Sequence, residues 1–291
     1  MAPSRFHVLR RRFTKLASAG LDALDPAVLT KLLSDTDAYF AAPREPELTS
    51  ESTDFGMRAS IRTTALRLVD QTSRRPWSDE LAAFLDRLPK EEVFPNGARF
   101  SSDFVSEHAV NWYPALKQFV DRPGLQGLEV GSFEGRSCTW FLTNILTHPS
   151  GKMTCIDTFD FGGQGRADIA DRNLQDRFDH NIAAGGFTDR VTKVYGSSQQ
   201  ALRTQPMNHF DFAYIDGSHL TCDVLEDVVL TWRLLRPGAV LILDDYGYWR
   251  SHENDPTVRP DVAIDAFMNC FVGQWSEVHR AHQIILRKEA A

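Results

Sequence analysis

From about residue 125 onward, short apolar runs alternate with stretches in which apolar residues return every three to four positions, the pattern of buried strands separated by covering helices. The runs "LQGLEV" from Leu125, "KMTCIDTF" from Lys152, "RVTKVYG" from Arg190, "FDFAYIDG" from Phe210 and "AVLILDDY" from Ala239 are predicted as strands. "SCTWFLTNIL" from Ser137 reads as a helix. So does "VLEDVVLTWRLL", which puts Val224, Leu225, Val228, Val229, Trp232 and Leu235 on one stripe and meets a stop at Pro237 and Gly238. "VAIDAFMNCF" from Val262 is a further helix, and "SEVHRAHQIILRK" from Ser276 has the length of a closing hairpin. The alternation predicts an α/β fold, a mostly parallel sheet with a C-terminal antiparallel hairpin. In such a sheet ligands bind beyond the carboxyl ends of the strands, where the strand order reverses.

Before residue 95 the pattern is helical and interrupted. "DPAVLTKLLSDTDAYF" opens with Asp25 as N-cap and Pro26 at the first helical position. "APREPELTSESTDFG" from Ala42 has two prolines and little apolar content, so it reads as a surface loop. "WSDELAAFLDRL" from Trp77 is another helix, and "FPNGARFSSD" from Phe94 a turn-rich joint. The expected division is a helical N-terminal extension or cap over residues 1–95 and an α/β domain over residues 96–291.

Composition narrows the partners. A formal net charge of −7 disfavours nucleic acid, which needs a basic face, and favours a small molecule. Cys138, Cys155, Cys222 and Cys270 form no CxxC pair, so a reducing, cytoplasmic setting is expected. No apolar run is long enough to cross a membrane. Residues 1–21 carry Arg5, Arg10, Arg11, Arg12 and Lys15 with no acid, and Phe6, Leu9, Phe13 and Leu16 at helical spacing. That is an ordinary first helix or tail, with weak membrane-surface contact as the alternative. The extension is also expected to help build a homo-oligomer.

The chemistry is concentrated at strand ends. In "LEVGSFEGRS", Gly131 and Gly135 follow the first strand of the α/β domain, allowing a turn that brings a ligand against the main chain. GxGxxG is absent, so a pyrophosphate cradle is disfavoured. Glu129 suits an amino group, and Ser137 at a helix start suits a carboxylate. Asp157, 28 residues after Glu129, ends the next strand where an acid holds ribose hydroxyls. An amino acid joined to a ribose is S-adenosylmethionine. Asp216, Asp244 and Asp245 end two further strands on the same edge, an all-oxygen set that suits Mg2+.

Taken together, ExGxxxG, the acid ending the second strand, "DGSH" and "DDY" resemble a class I S-adenosylmethionine-dependent methyltransferase over about residues 100–291. The resemblance implies a Rossmann-like sheet, with Glu129, Gly131, Ser132, Gly135 and Ser137 at the methionine end and Asp157 on the ribose. Thr158 or Phe159 would border the adenine, Ser197 or Ser198 its amino edge, and Asp216 the reacting centre. The spacing of Asp216, Asp244 and Asp245 is similar to that of the magnesium-dependent sugar O-methyltransferases of macrolide and aminocoumarin pathways. Some members carry a base two residues after the first metal acid, where this chain has Ser218; others carry a histidine three residues after it, which His219 matches. The implied reaction is O-methylation of a sugar or polyol hydroxyl with His219 as base; Tyr246, Tyr248 and Trp249 follow the metal acids, either to stack on the sugar or to pack. Two rivals stay open: a metal-independent N- or carboxyl-methyltransferase, and a non-catalytic cofactor-binding scaffold.

Overall fold

A computed structural model describes residues 108–160, 173–247 and 255–290, with 92–94, 96–101, 104–105 and four positions between 31 and 38. Contacts divide the chain into two compact units, one of residues 1–95 with 99–107, the other of residues 96–98 with 108–291. Within the first unit, Lys31, Ser34, Asp35 and Ala38 are helical, inside the stretch predicted to open at Asp25, and Lys31 Nζ lies 3.1 Å from Asp35 Oδ1. The predicted helix from Trp77, the basic N-terminus and nearly all of the expected cap lie outside the described residues. The joint from Phe94 yields short strands, β1 (Glu92–Val93) and β2 (Arg99–Phe100), paired antiparallel.

The second unit follows the alternation closely. It comprises α1 (Ala109–Leu116), β3 (Gln126–Val130), α2 (Arg136–Asn144), β4 (Lys152–Asp157), α3 (Leu174–Ala184) and β5 (Val191–Tyr195). It continues with α4 (Ser198–Leu202), β6 (Phe210–Ile215), α5 (Thr221–Leu234), β7 (Leu235–Leu243), α6 (Pro260–Cys270), β8 (Trp275–Arg280) and β9 (Ile284–Lys288). The seven strands run β5-β4-β3-β6-β7-β9-β8; β3 to β7 are parallel, and β9 joins β7 and β8 antiparallel. The order reverses at β3, whose neighbours are β4 and β6, which makes the carboxyl ends of these strands the crevice of the fold.

Two details differ from expectation. Helix α5 ends at Leu234, and β7 begins at Leu235, where the backbone is extended, so Pro237 and Gly238 belong to the strand and do not stop the helix. Helix α1, with Pro114 inside it, has no clear apolar period in the sequence; it is held by tertiary packing. Its Trp112 is fully buried against Phe141 and Tyr214, at 4.9 Å between ring centres in each case. Alternation of side chains along the strands sends Leu128, Val130, Ala213, Ile215 and Leu241 to the face covered by α4, α5 and α6. Glu129 and Tyr214 point to the opposite face.

Candidate active site

At the β3/β4 edge the acids serve the protein's own backbone. Asp157 Oδ2 accepts from Ser132 N and Phe133 N, both at 2.7 Å, and Oδ1 accepts from Phe159 N at 2.6 Å. Phe133 and Phe159 sit at φ 47° and 50°, a conformation that is costly for a bulky residue, and the carboxylate holds both turns. A carboxylate has about four lone-pair positions. Three are taken, so Asp157 as placed can accept from one ligand hydroxyl at Oδ1 and not from both hydroxyls of a ribose.

Glu129 lies beneath the loop, not along an open cleft. It is fully buried, opposite Cys155 across the β3/β4 pair, and accepts from Cys155 Sγ at 3.5 Å. Burial pushes its pKa up to about 7, against the lowering pull of the Ser137, Ser132 and Cys155 side chains. Ser137 therefore turns its hydroxyl to Glu129 and not outward to a ligand carboxylate. Gly131 is required by the protein's own packing: at φ 85°, a Cβ there would collide with the carbonyl of Asp216 and lie 2.8 Å from Gly217 Cα. Gly135, at φ 81°, caps α2 with its Cα facing Phe178. Thr158 is exposed, and the Phe159 ring is nearly parallel to Tyr195 at 6.5 Å. Ser197 is the N-cap residue of α4, whereas the Ser198 hydroxyl faces Asp227, a carboxyl that burial pushes up to about 7.

The β6/β7 edge is arranged differently. Parallel register sets Ile215 beside Leu243, so the next residues, Asp216 and Asp244, leave the sheet side by side. The Tyr214 hydroxyl joins them, donating to Asp216 Oδ2 at 2.8 Å and lying against Asp244 Oδ2. Burial, then the charges of Asp244 and Asp245, hold Asp216 well above the usual carboxylate range; burial and the Asp245 charge raise Asp244. The Tyr214 phenol is raised as well, by burial and then by both acids, so it remains a donor. Asp245, turned to φ 59°, brings a carboxylate oxygen within 4.8 Å of ligand atoms of both Asp216 and His219. Its Oδ2 lies 2.8 Å from His219 Nε2. Burial alone would raise its pKa, but the imidazoles of His219 and His282 outweigh that and hold it below the usual range. A shallow cleft opens here, walled by Asp216, His219, Asp244 and Asp245 and floored by Val224, Pro260 and Ile264.

Sequence reasoning missed three residues of this edge. Tyr214 reads as strand interior. His282 comes from the β8/β9 turn, with Nε2 3.6 Å from both Asp244 Oδ1 and Asp245 Oδ1. His108, just before α1, stacks on it at 5.0 Å. No local spacing signals either histidine. Tyr246 is corrected: it is 5% exposed, its hydroxyl donates to Asp265 Oδ1 at 3.0 Å and accepts from Arg280 at 2.8 Å, so it packs and does not present a face to a sugar. Tyr248 and Trp249 lie outside the described residues.

Residues 128–246 match the family model described as a methyltransferase domain. The matched stretch runs from β3 to the residue after Asp245, so it contains both edges described above, whereas His108 and His282 fall outside it. No curated protein sequence matches the chain. Among solved structures, the fold is shared with a candidate O-methyltransferase from Klebsiella pneumoniae, 14% identical over 88% of this chain and 96% of that one, TM-score 0.50. The O-methyltransferase TomG of tomaymycin synthesis from Streptomyces achromogenes, solved with SAM, is 17% identical over 88% and 96%, TM-score 0.48. The Bacillus cereus O-methyltransferase in complex with SAH is 19% identical over 78% and 91%, TM-score 0.47. Among the described residues, no helix is long and apolar enough to cross a membrane.

Proposed function

We propose that the domain methylates a hydroxyl oxygen of a small molecule, a sugar or related polyol, with His219 as general base and a divalent cation on Asp216, Asp244 and Asp245. The observation that carries this reading is the His219–Asp245 pair at 2.8 Å, set beside two raised carboxyls at the mouth of one cleft. With Nε2–H donating to Asp245, the basic nitrogen of the neutral ring is Nδ1. Asp245 then orients the ring and stabilises the imidazolium that forms when Nδ1 takes the acceptor's proton, the role of the acid in other histidine–carboxylate pairs.

The cation fits on chemical grounds. Asp216 and Asp244 share the Tyr214 phenol, Asp244 also accepts from Asp245 N at 2.7 Å, and positive charge would offset the burial and the neighbouring acid charge that raise both. Bound there, Mg2+ would polarise the acceptor hydroxyls and make them more acidic. S-adenosylmethionine supplies an electrophilic methyl group on sulfur. The loop Gly131–Gly135 and the half-exposed residues Phe133, Asp157, Phe159 and Ser197 border the space beside β3 and β4 where it would lie. The enclosed Glu129 and Ser137 support that loop from below.

The test is release of S-adenosylhomocysteine from a panel of sugars and vicinal diols, with metal-stripped protein and after adding Mg2+. Mg2+-dependent turnover that His219→Ala removes is the expected result. Turnover of a nitrogen or carboxylate acceptor that neither chelation nor His219→Ala touches would replace this reading with the metal-independent one.

A further inference from the structure

We propose that His108, His282 and Asp244 form a separate cation position, one that takes a borderline transition metal such as Zn2+ or Co2+ in preference to Mg2+. The donor atoms of these three residues lie within 4.8 Å of one another. They come from three places in the fold: the residue before α1, the β8/β9 turn and the end of β7. Two imidazoles and a carboxylate are a nitrogen-rich set, which favours zinc, cobalt or iron, whereas magnesium prefers oxygen alone. Neither histidine belongs to the segment matched by the methyltransferase family model.

The distances place His282 beside both acids: its Nε2 stands 3.6 Å from Asp244 Oδ1 and 3.6 Å from Asp245 Oδ1. Two ligands of one tetrahedral ion, each about 2.1 Å from it, are about 3.4 Å apart. The spacing thus suits co-ligands. Asp244 can serve both neighbouring positions, because Oδ2 faces Tyr214 and Asp216 while Oδ1, which also accepts from Asp245 N at 2.7 Å, faces His282.

The cluster is also built rigidly. Gly247 N donates to His282 O at 2.9 Å, and a Cβ on Gly247 would lie 2.9 Å from Ala281 O and from His282 Cα, so the turn is packed directly on the main chain after Asp245. Gln283 is 1% exposed and accepts from Trp112 Nε1 at 2.7 Å, which ties the same turn to α1. Trp112 N in turn donates to His108 O at 3.2 Å. The two rings are therefore held 5.0 Å apart and 13° from parallel. One cation at this place would meet a nitrogen of each ring together with a carboxylate oxygen of Asp244.

The proposal needs no turnover and stands or falls on metal binding. Metal-stripped full-length protein, held in excess Mg2+ to fill the carboxylate position, is titrated with Co2+ and followed by visible absorption, with Zn2+ calorimetry in parallel. One equivalent of Co2+ should bind. His108→Ala and His282→Ala should each weaken it by more than the roughly 10–100-fold that loss of an outer-shell partner costs. Asp216→Asn should leave Co2+ affinity within a few-fold of wild type. Zn2+ should raise the melting temperature of the wild type and not of His282→Gln, a substitution that keeps the turn's size. Wild-type Co2+ affinity in both histidine variants would overturn the proposal, as would Co2+ binding that is lost in His219→Ala but kept in His108→Ala. Unaltered Mg2+ binding in Asp216→Asn would count against the carboxylate reading alone.

Discussion

Acids end the strands at both halves of the crevice, yet the two halves treat them in opposite ways. At β3/β4, Asp157 is surrounded by backbone N–H donors, and Glu129 by hydroxyls and a thiol; each carboxyl has a partner from the protein itself. At β6/β7, Asp216 and Asp244 face each other across one phenol, with one main-chain donor, Asp245 N, on Asp244; burial raises both, and then the charges of Asp244 and Asp245 raise Asp216 and that of Asp245 raises Asp244. Glu129 is also raised, but by burial above all, and no cation could reach it without opening the loop. A carboxyl whose donors are fixed main-chain groups is a structural fastener. One whose nearest neighbours are other acids and imidazoles awaits a ligand, which is why the proposed chemistry is placed at β6/β7.

The two halves meet at Gly131, and the largest expected effect comes from breaking that junction. In Gly131→Ala the new methyl would strike the main chain of Asp216 and Gly217, which cannot swing aside as a side chain would, and φ 85° adds strain. A loss of about 4 kcal/mol or more is expected, seen as failure to fold or a collapsed melting temperature by circular dichroism. A melting curve like the wild type's would mean that the two strand ends are not in contact. Next comes His219→Ala, which should lower kcat by about 10²–10⁴-fold with little change in S-adenosylhomocysteine affinity. Equal loss of binding and turnover would move His219 to the cofactor side of the comparison.

The strands and their order were legible because each is a short apolar run between helices, and the acids at their ends follow from where the runs stop. Leu128 to Val130 and Ala239 to Leu243 needed no tertiary information. The partners of those acids were not legible. Asp157 is satisfied by main-chain N–H groups, which carry no side-chain signature in the sequence. Cys155 meets Glu129 through strand register, and His108 reaches His282 only because α1 and the terminal hairpin close on the same edge. Gly131 was seen as special for its turn, but the close approach of the Asp216–Gly217 main chain, which also demands a glycine there, was not legible.

Glu129→Gln tests whether the β3/β4 acids are purely structural, at the next smaller scale. A glutamate titrates near 4.5 when free, and here burial moves it to about 7. Between those values the folded chain keeps a proton that the unfolded chain has lost, so this group's contribution to stability declines as pH rises from about 4.5 to 7 and is level above. The neutral amide has no such slope. The variant should therefore match the wild type near pH 4 and exceed it at pH 8 by up to about 3 kcal/mol in urea unfolding. Unchanged cofactor affinity would keep Glu129 beneath the loop; a marked loss would mean that it meets the ligand's amino group after all.

The smallest effect is expected at Asp157→Asn. An amide offers one acceptor oxygen where the carboxylate offers two, and its NH2 group would face a backbone donor. Rotated so that the oxygen keeps Ser132 N and Phe133 N, it abandons Phe159 N, leaving that residue at φ 50° without the bond that holds it. The cost should be about 1–2 kcal/mol of stability, and the Phe159 amide should become the fastest-exchanging of the three. The same variant discriminates the two duties of the acid. If Asp157 is only the loop's fastener, S-adenosylhomocysteine affinity falls modestly, in step with the stability lost. If its remaining Oδ1 lone pair also takes a ribose hydroxyl, affinity falls further than stability, and replacing the ligand by its deoxyribose analogue costs the wild type more than the variant.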